Sequence, residues 1–273
     1  MGLYEAMRGV LAKEPLNLVR AATLLGRLGT SPHDAKRVRA QLERMGAELR
    51  NRLHRGPAGK DRLALLNRYL FEELGFRGNA EDFYDPRNSF LGAVLERKTG
   101  LPITLSLVYV EVGRRAGLPL EGVGFPGHFL MRYDDADGPV FVDPFHAGRV
   151  LEEQDLRALL DEMSEQPVPL DPTLLRPATE REILARMLHN LKGLYLTSEE
   201  FEELLQVMDF LLLLDPESPL DLRDRGLLHY ERGDFRKARD DLRAYLEREP
   251  TAGDAGIIRA HLDDIESRLR MFR

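Results

Sequence analysis

An α+β fold followed by an all-α region is predicted from three observations. Apolar residues recur at helical spacing along most of the chain up to Gly117. After Gly117 the period changes to that of strands, around an Asp/Gly-rich turn. From about residue 176 the chain is helical again, and a pattern repeats with Pro216 and Pro250 at equivalent positions, 34 residues apart.

The elements follow in order. In "PLNLVRAATLLGRL", Leu16, Val19, Leu24, Leu25 and Leu28 sit near helical spacing. The next helix has Ser31 as N-cap, Pro32 at its first position and a stripe of Val38, Leu42, Met45 and Leu49. Residues 55–60 read as a loop. "DRLALLNRYLFEELGF" is a third helix, capped by Asp61 and ended near Gly75. After the loop "RGNAEDFYDPRNS", Asn88 or Ser89 caps a short helix that Gly100 ends as a left-handed residue. "LPITLSLVYVEVGRRAG" begins at once, with Pro102 in its first turn and Gly117 as its stop. Its broad apolar face predicts burial on most sides. "LEGVGFPGHFLMRYDD" and "GPVFVDPF" read as two strands of a small antiparallel sheet.

Composition limits function. The chain has 273 residues, a net charge of −7, 43% apolar and 31% charged residues. The arginines lie among acids at helical spacing, so no nucleic-acid footprint is expected. There is no cysteine, which excludes disulfides, thiolate catalysis, Cys-ligated zinc and iron–sulfur clusters. "MGLYEAMRGVLAKEP" lacks a signal-peptide core, and the longest apolar run, "FLLLL" at 210–214, is flanked by acids. A cytoplasmic protein without membrane association or cofactor is expected.

The C-terminal pattern comprises Gly226, Tyr230, Gly233, Phe235, Ala238, Leu242 and Tyr245, with Pro250 at the end. It resembles the tetratricopeptide repeat. Residues 185–216, with Tyr195, Phe201, Leu204 and Met208, read as a degenerate copy, and 252–272 as a capping helix.

The chemistry-bearing residues are His128 and Asp143. Side chains alternate along a strand, so His128, Leu130 and Arg132 share a face, as do Phe141, Asp143 and Phe145. A turn at Asp134–Asp137 would set His128 opposite Asp143. A turn at Asp137–Gly138 shifts the register by two pairs and keeps both on one face. A carboxylate beside an imidazole fixes its tautomer, as the orienter–base half of a catalytic triad does; the same pair also serves as a hydrogen bond that holds a hairpin. "DDADG" lacks the spacing of a calcium loop and reads as a turn. His128, Asp143 and His146 form a second candidate metal set, and no metal is expected. Phe125, Phe129 and Phe141 read as core.

The pieces "NSFL", "GLPITLSLVY", "FPGHFL" and "VDPF" together closely resemble the SirB1 family, a bacterial branch of the transglutaminase-like superfamily, over roughly residues 15–160. The resemblance implies a papain-like core in which a cysteine at the head of a buried helix works with a His and an Asp on adjacent strands. His128 matches the histidine, Asp143 the aspartate, and Pro102 lies at or beside the cysteine position. Thr104 and Ser106 are nearby hydroxyls, each read also as an ordinary helix residue. Asn88, Ser106 and Phe129 are placed at the cleft. The implied organisation is a transglutaminase-like domain over 1–164 (helical to 75, core 76–164), a Pro-rich linker over 165–178, and repeats over 179–273. The implied function is a regulatory binding or scaffold module that takes a protein or peptide through the cleft or the repeats. The alternative is a hydrolase or acyl-transfer enzyme in which His128 and Asp143 activate water or Thr104.

Overall fold

The run "PITLSLVYVEVGRR" carries apolar side chains around nearly its whole circumference, and such a helix is stable only when enclosed. In a computed structural model, which describes residues 2–29, 34–54, 61–163 and 168–271, it is the buried centre of the first of two units. These units comprise Met1–Asn190 and Leu191–Arg273.

The helices of the first unit are α1 (Leu3–Leu11), α2 (Leu18–Leu25), α3 (Ala35–Leu53), α4 (Asp61–Asn67, continued by a π-helical turn at Arg68–Glu73), α5 (Leu91–Arg97), α6 (Pro102–Arg115) and α7 (Glu153–Asp161). Helix α8 (Glu180–Thr197) begins in this unit. Gly46 lets α3 approach α6, since a Cβ there would lie 2.3 Å from the Cβ of Arg115. Gly113 lets Leu120 close on α6 from the sheet side.

Two very short strands, β1 (Arg77–Gly78) and β2 (Thr99–Gly100), pair in parallel. The main sheet is antiparallel in the order β3 (Leu120–Val123), β4 (Leu130–Asp135), β5 (Gly138–Asp143) and β6 (Arg149–Leu151). Val123, Leu130, Phe141 and Leu151 cluster with Leu156 and Leu160 of α7. Leu120, of opposite parity in this pairing, reaches α6.

Several local expectations change. Residues 120–135 are not one strand: β3 and β4 are separate and antiparallel, joined by a loop over 124–129 in which Gly127 is left-handed (φ 68°). His128 therefore lies in a loop, not on a strand face. The hairpin turn is Ala136–Asp137, with Asp135 paired to Gly138 and Met131 to Val142, which matches neither expected turn. The cap of α5 is Phe90 rather than Asn88 or Ser89, and its left-handed end is Lys98 (φ 60°) rather than Gly100. Gly100 serves close packing instead, because a Cβ would lie 2.8 Å from Thr104 Oγ1. Asp34 caps α3, accepting from the Lys36 amide; Ser31 and Pro32 lie outside the described residues. So do the expected loop at 55–60 and the start of the Pro-rich segment. Helix α1 and strand β6 were not anticipated.

The second unit contains the end of α8, then α9 (Phe201–Leu214), α10 (Pro219–Glu231), α11 (Phe235–Arg248) and α12 (Ala255–Met271). The repeat positions explain its packing. Gly226 brings α10 onto α11, since a Cβ would meet Leu242 at 2.8 Å. Ala238, Leu242 and Tyr245 join Ile258 and Ile265 of α12 in one cluster. Gly233 turns the chain in the left-handed conformation (φ 76°). Arg225 bonds both oxygens of Asp241 and one of Asp209, at 2.7 Å each. No helix among the described residues is long and apolar enough to cross a membrane.

Candidate functional site

The head of α6 is where the sequence placed a lost nucleophile. Leu101 is the N-cap and Pro102 the first helical residue, with no side-chain nucleophile and no N–H. Thr104 is fully buried. Its Oγ1 accepts the Leu101 amide at 3.0 Å and lies 2.7 Å from the Asn88 carbonyl and 3.1 Å from that of Leu101. A hydroxyl has one proton, and the shorter contact assigns it to Asn88. Ser106, also fully buried, donates to the Phe129 carbonyl at 3.2 Å. Both hydroxyls thus hold backbone together. Among the described residues neither hydroxyl is hydrogen-bonded to His128.

Asn88 is a buried hub of hydrogen bonds. Its amide donates to the carbonyls of Asp82 (2.8 Å) and Phe83 (3.3 Å), while its Oδ1 accepts from Asn79 (3.1 Å) and Arg97 (3.4 Å). Through its own carbonyl it holds Thr104. Asp85 fixes the same loop by accepting the Arg87 amide and pairing with Arg87 and Arg97. Burial alone would raise the Asp85 carboxyl; the Arg87 hydrogen bonds and the Arg97 charge outweigh it and hold the group below the usual carboxylate range.

The His128 loop is tied at both ends. The Phe125 carbonyl accepts from the His128 amide and from Arg186 of α8, each at 3.1 Å, and the Phe129 carbonyl is held by Ser106. Burial lowers the Arg186 guanidinium from its ordinary value. The Phe129 ring is buried and packed against β3: a Cβ on Gly122 would lie 2.8 Å from it and 3.4 Å from Ile183. The half-buried His128 ring makes no hydrogen bond among the described residues.

Asp143 has a different imidazole. Its Oδ1 accepts the Phe145 amide at 2.9 Å, capping the turn Pro144–His146, and its Oδ2 lies 2.6 Å from His146 Nδ1. The carboxylate only accepts, so Nδ1 carries the proton and Nε2 is left free. Asp143 is buried, whereas the His146 side chain is 61% exposed. The expected hydrogen-bonded pair of His128 and Asp143 is thus replaced by Asp143 and His146.

The turn that carries His146 is firmly built. Ala147 and Gly148 both adopt left-handed conformations (φ 53° and 74°), and the Gly148 amide returns to the Asp143 carbonyl at 2.9 Å. Asn67 of α4 donates to the Gly148 carbonyl at 2.7 Å and accepts from Tyr109 of α6 at 2.8 Å. A Cβ on Gly148 would lie 2.2 Å from Asn67 Oδ1, so space and conformation both demand glycine. Burial raises the Tyr109 hydroxyl well above its ordinary value, which keeps it a neutral donor. Around His146 lies an aromatic rim: Phe145 edge-on at 5.2 Å, Phe83 edge-on to Phe145 at 6.2 Å, and Tyr84, 75% exposed, edge-on to Phe83.

In the sequence His146 reads only as a metal-ligand candidate. The described residues contain no group of three His, Asp or Glu placed to hold a metal ion. The available signal was local: in "DPFH", an Asp caps a Pro-initiated turn and a ring N–H follows three residues later, within reach of the same carboxylate. Phe83 and Tyr84 carried no periodic signal.

The sequences of both units match known protein families. A model of the transglutaminase-like superfamily matches residues 36–189, and a tetratricopeptide-repeat model matches residues 191–263. A UPF0162 protein of Xylella fastidiosa (strain 9a5c) is 42% identical over 209 residues, 76% of this chain and 74% of that protein. A UPF0162 protein of Vibrio cholerae is 28% identical over 205 residues, 75% of this chain and 76% of that one. Human F-box only protein 21 is 33% identical over 140 residues, 48% of this chain and 21% of that protein.

Proposed function

Because this chain belongs to the transglutaminase-like superfamily and carries tetratricopeptide repeats behind that domain, we propose that it is a protein-interaction module of regulatory kind, in which the transglutaminase-like domain binds a protein or peptide rather than transforming it. One observation carries this reading. The chain has no cysteine, and both hydroxyls near the head of α6, Thr104 and Ser106, are spent on backbone carbonyls. An activated nucleophile needs a free hydroxyl or thiol within reach of a base. The repeats add support, since such repeats generally mediate protein–protein interaction and stacked helices offer extended surfaces.

The test is to identify a partner by photo-crosslinking of the full chain in its host, and then to incubate the two purified proteins. A binding module forms a stoichiometric complex and returns its partner with unchanged covalent mass. A partner that emerges cleaved, deamidated or cross-linked contradicts the proposal.

A second reading, hydrolysis by activated water, is favoured by the 2.6 Å contact of His146 with Asp143, which leaves Nε2 open as a base. It requires a substrate carbonyl seated against the rim of Phe83, Tyr84 and Phe145. It also requires His146, not His128, to be the residue whose loss abolishes turnover.

A further inference from the structure

The second unit carries a surface whose charge departs from that of the chain as a whole. The N-terminal half of α11 and the C-terminal end of α12 enclose an open groove of about 1060 Å³. Its floor includes Phe235 and Leu269, both only partly buried against the core of this unit. Arg268 lies over the Phe235 ring at 5.2 Å, which holds the ring in place.

Ion pairing around the groove is uneven. Of the two acids at its edge, Glu266 accepts from Arg243 at 2.6 Å, whereas Asp234 is exposed and has only the buried His229 ring near it, at 3.4 Å without a hydrogen bond. Arg239 is paired with Asp240 at 2.8 Å. Arg236, Lys237 and Arg270 are exposed and make no ion pair with a described residue. The Nε of Arg270 donates to the Glu266 carbonyl at 3.2 Å, which fixes its stem along α12. Among the described residues, three cations without an ion pair thus stand around an apolar floor against one such acid, Asp234, in a chain of net charge −7.

We propose that this groove binds an acidic peptide segment, with carboxylates on Arg236, Lys237 and Arg270 and an apolar side chain on Phe235 and Leu269. The inference rests on the interaction reading above and names the chemistry of one partner surface. Charge complementarity selects an anion. The apolar floor favours a peptide over a nucleic-acid backbone, and the negative charge of the whole chain opposes a polyanion.

The test uses the full chain and a fluorescein-labelled peptide of alternating glutamate and leucine, read by anisotropy. The peptide binds, and binding weakens as salt is raised. A version with lysine for glutamate does not bind, and one with serine for leucine binds more weakly. The triple variant Arg236→Glu, Lys237→Glu, Arg270→Glu weakens binding at least about tenfold, as reversal of three exposed contacts implies, with an unchanged far-ultraviolet spectrum. Arg176→Glu, a charge change in the first unit, leaves binding intact. Absence of peptide binding overturns the proposal, as does binding that the triple variant does not weaken. An oligothymidylate that binds as tightly as the peptide also overturns it. Failure here is separable from failure of the wider reading: a partner crosslinked in the host and retained by the triple variant would leave an interaction module that uses another surface.

Discussion

His146 Nδ1 lies 2.6 Å from Asp143 Oδ2, so the buried aspartate of the small sheet orients an exposed imidazole three residues away in its own turn. This local bond occupies the carboxylate that the sequence had assigned to His128. It predicts which ring responds when the carboxylate is removed. In long-range proton–nitrogen spectra at neutral pH, His146 should show the tautomer protonated at Nδ1. Asp143→Ala should shift the His146 ring nitrogens and leave those of His128 unchanged. A response of His128 with none from His146 would restore the original pairing.

Thr104 should matter to stability. Thr104→Val keeps the shape and removes a buried hydroxyl that joins the Leu101 amide and the Asn88 carbonyl. The Leu101 amide still donates directly to the Asn88 carbonyl at 3.3 Å, so losing the hydroxyl should cost about 0.5–1.5 kcal/mol in urea unfolding. A change below about 0.5 kcal/mol would mean that the hydroxyl is not engaged in this way.

Ser89 gives the opposite expectation. Its Oγ is buried with no hydrogen-bond partner among the described residues. Ser89→Ala should be neutral or stabilising by up to about 1 kcal/mol, because an unpaired hydroxyl is removed from an apolar site. Clear destabilisation would reveal a partner such as a buried water.

Asp85 sets a pH dependence. Its carboxyl is held below the usual range in the folded state, where burial is outweighed by Arg87 and Arg97. The unfolded chain therefore takes up protons first as pH falls, so the stabilisation is complete at neutral pH and is lost as pH drops through the depressed folded value. Asp85→Asn should cost about 1–3 kcal/mol at pH 7, less than a fully enclosed pair because Arg87 is well exposed. The gap between variant and wild type should narrow steadily on acidification below the carboxylate range. A gap independent of pH would contradict the assignment.

Much of the fold was legible because it follows from periodicity. The enclosed helix α6, the four-helix run after Phe201 and the roles of Gly226, Ala238 and Leu242 all express a spacing that one sequence displays. The site was less legible because its bonds are not periodic. The loop that splits β3 from β4 hides in an apolar stretch that reads as continuous strand, and it moves His128 off the sheet. Lys98 takes a left-handed conformation that glycine usually signals, so the end of α5 was misplaced. Asn88 was visible as a turn residue, but its bonds to Asp82, Phe83, Asn79 and Arg97 depend on how that loop folds back on itself. The motif "DPFH" is short enough to read directly, because its carboxylate and imidazole lie within one turn.

The most direct test of the central claim is ammonia release from glutamine-containing peptides, alone and with an added primary amine. Wild type, His128→Ala and His146→Ala should be compared as full-length, folded proteins. The account predicts that all three match the rate without protein. Turnover by the wild type that is abolished in either histidine variant would show that the domain is an enzyme and contradict it.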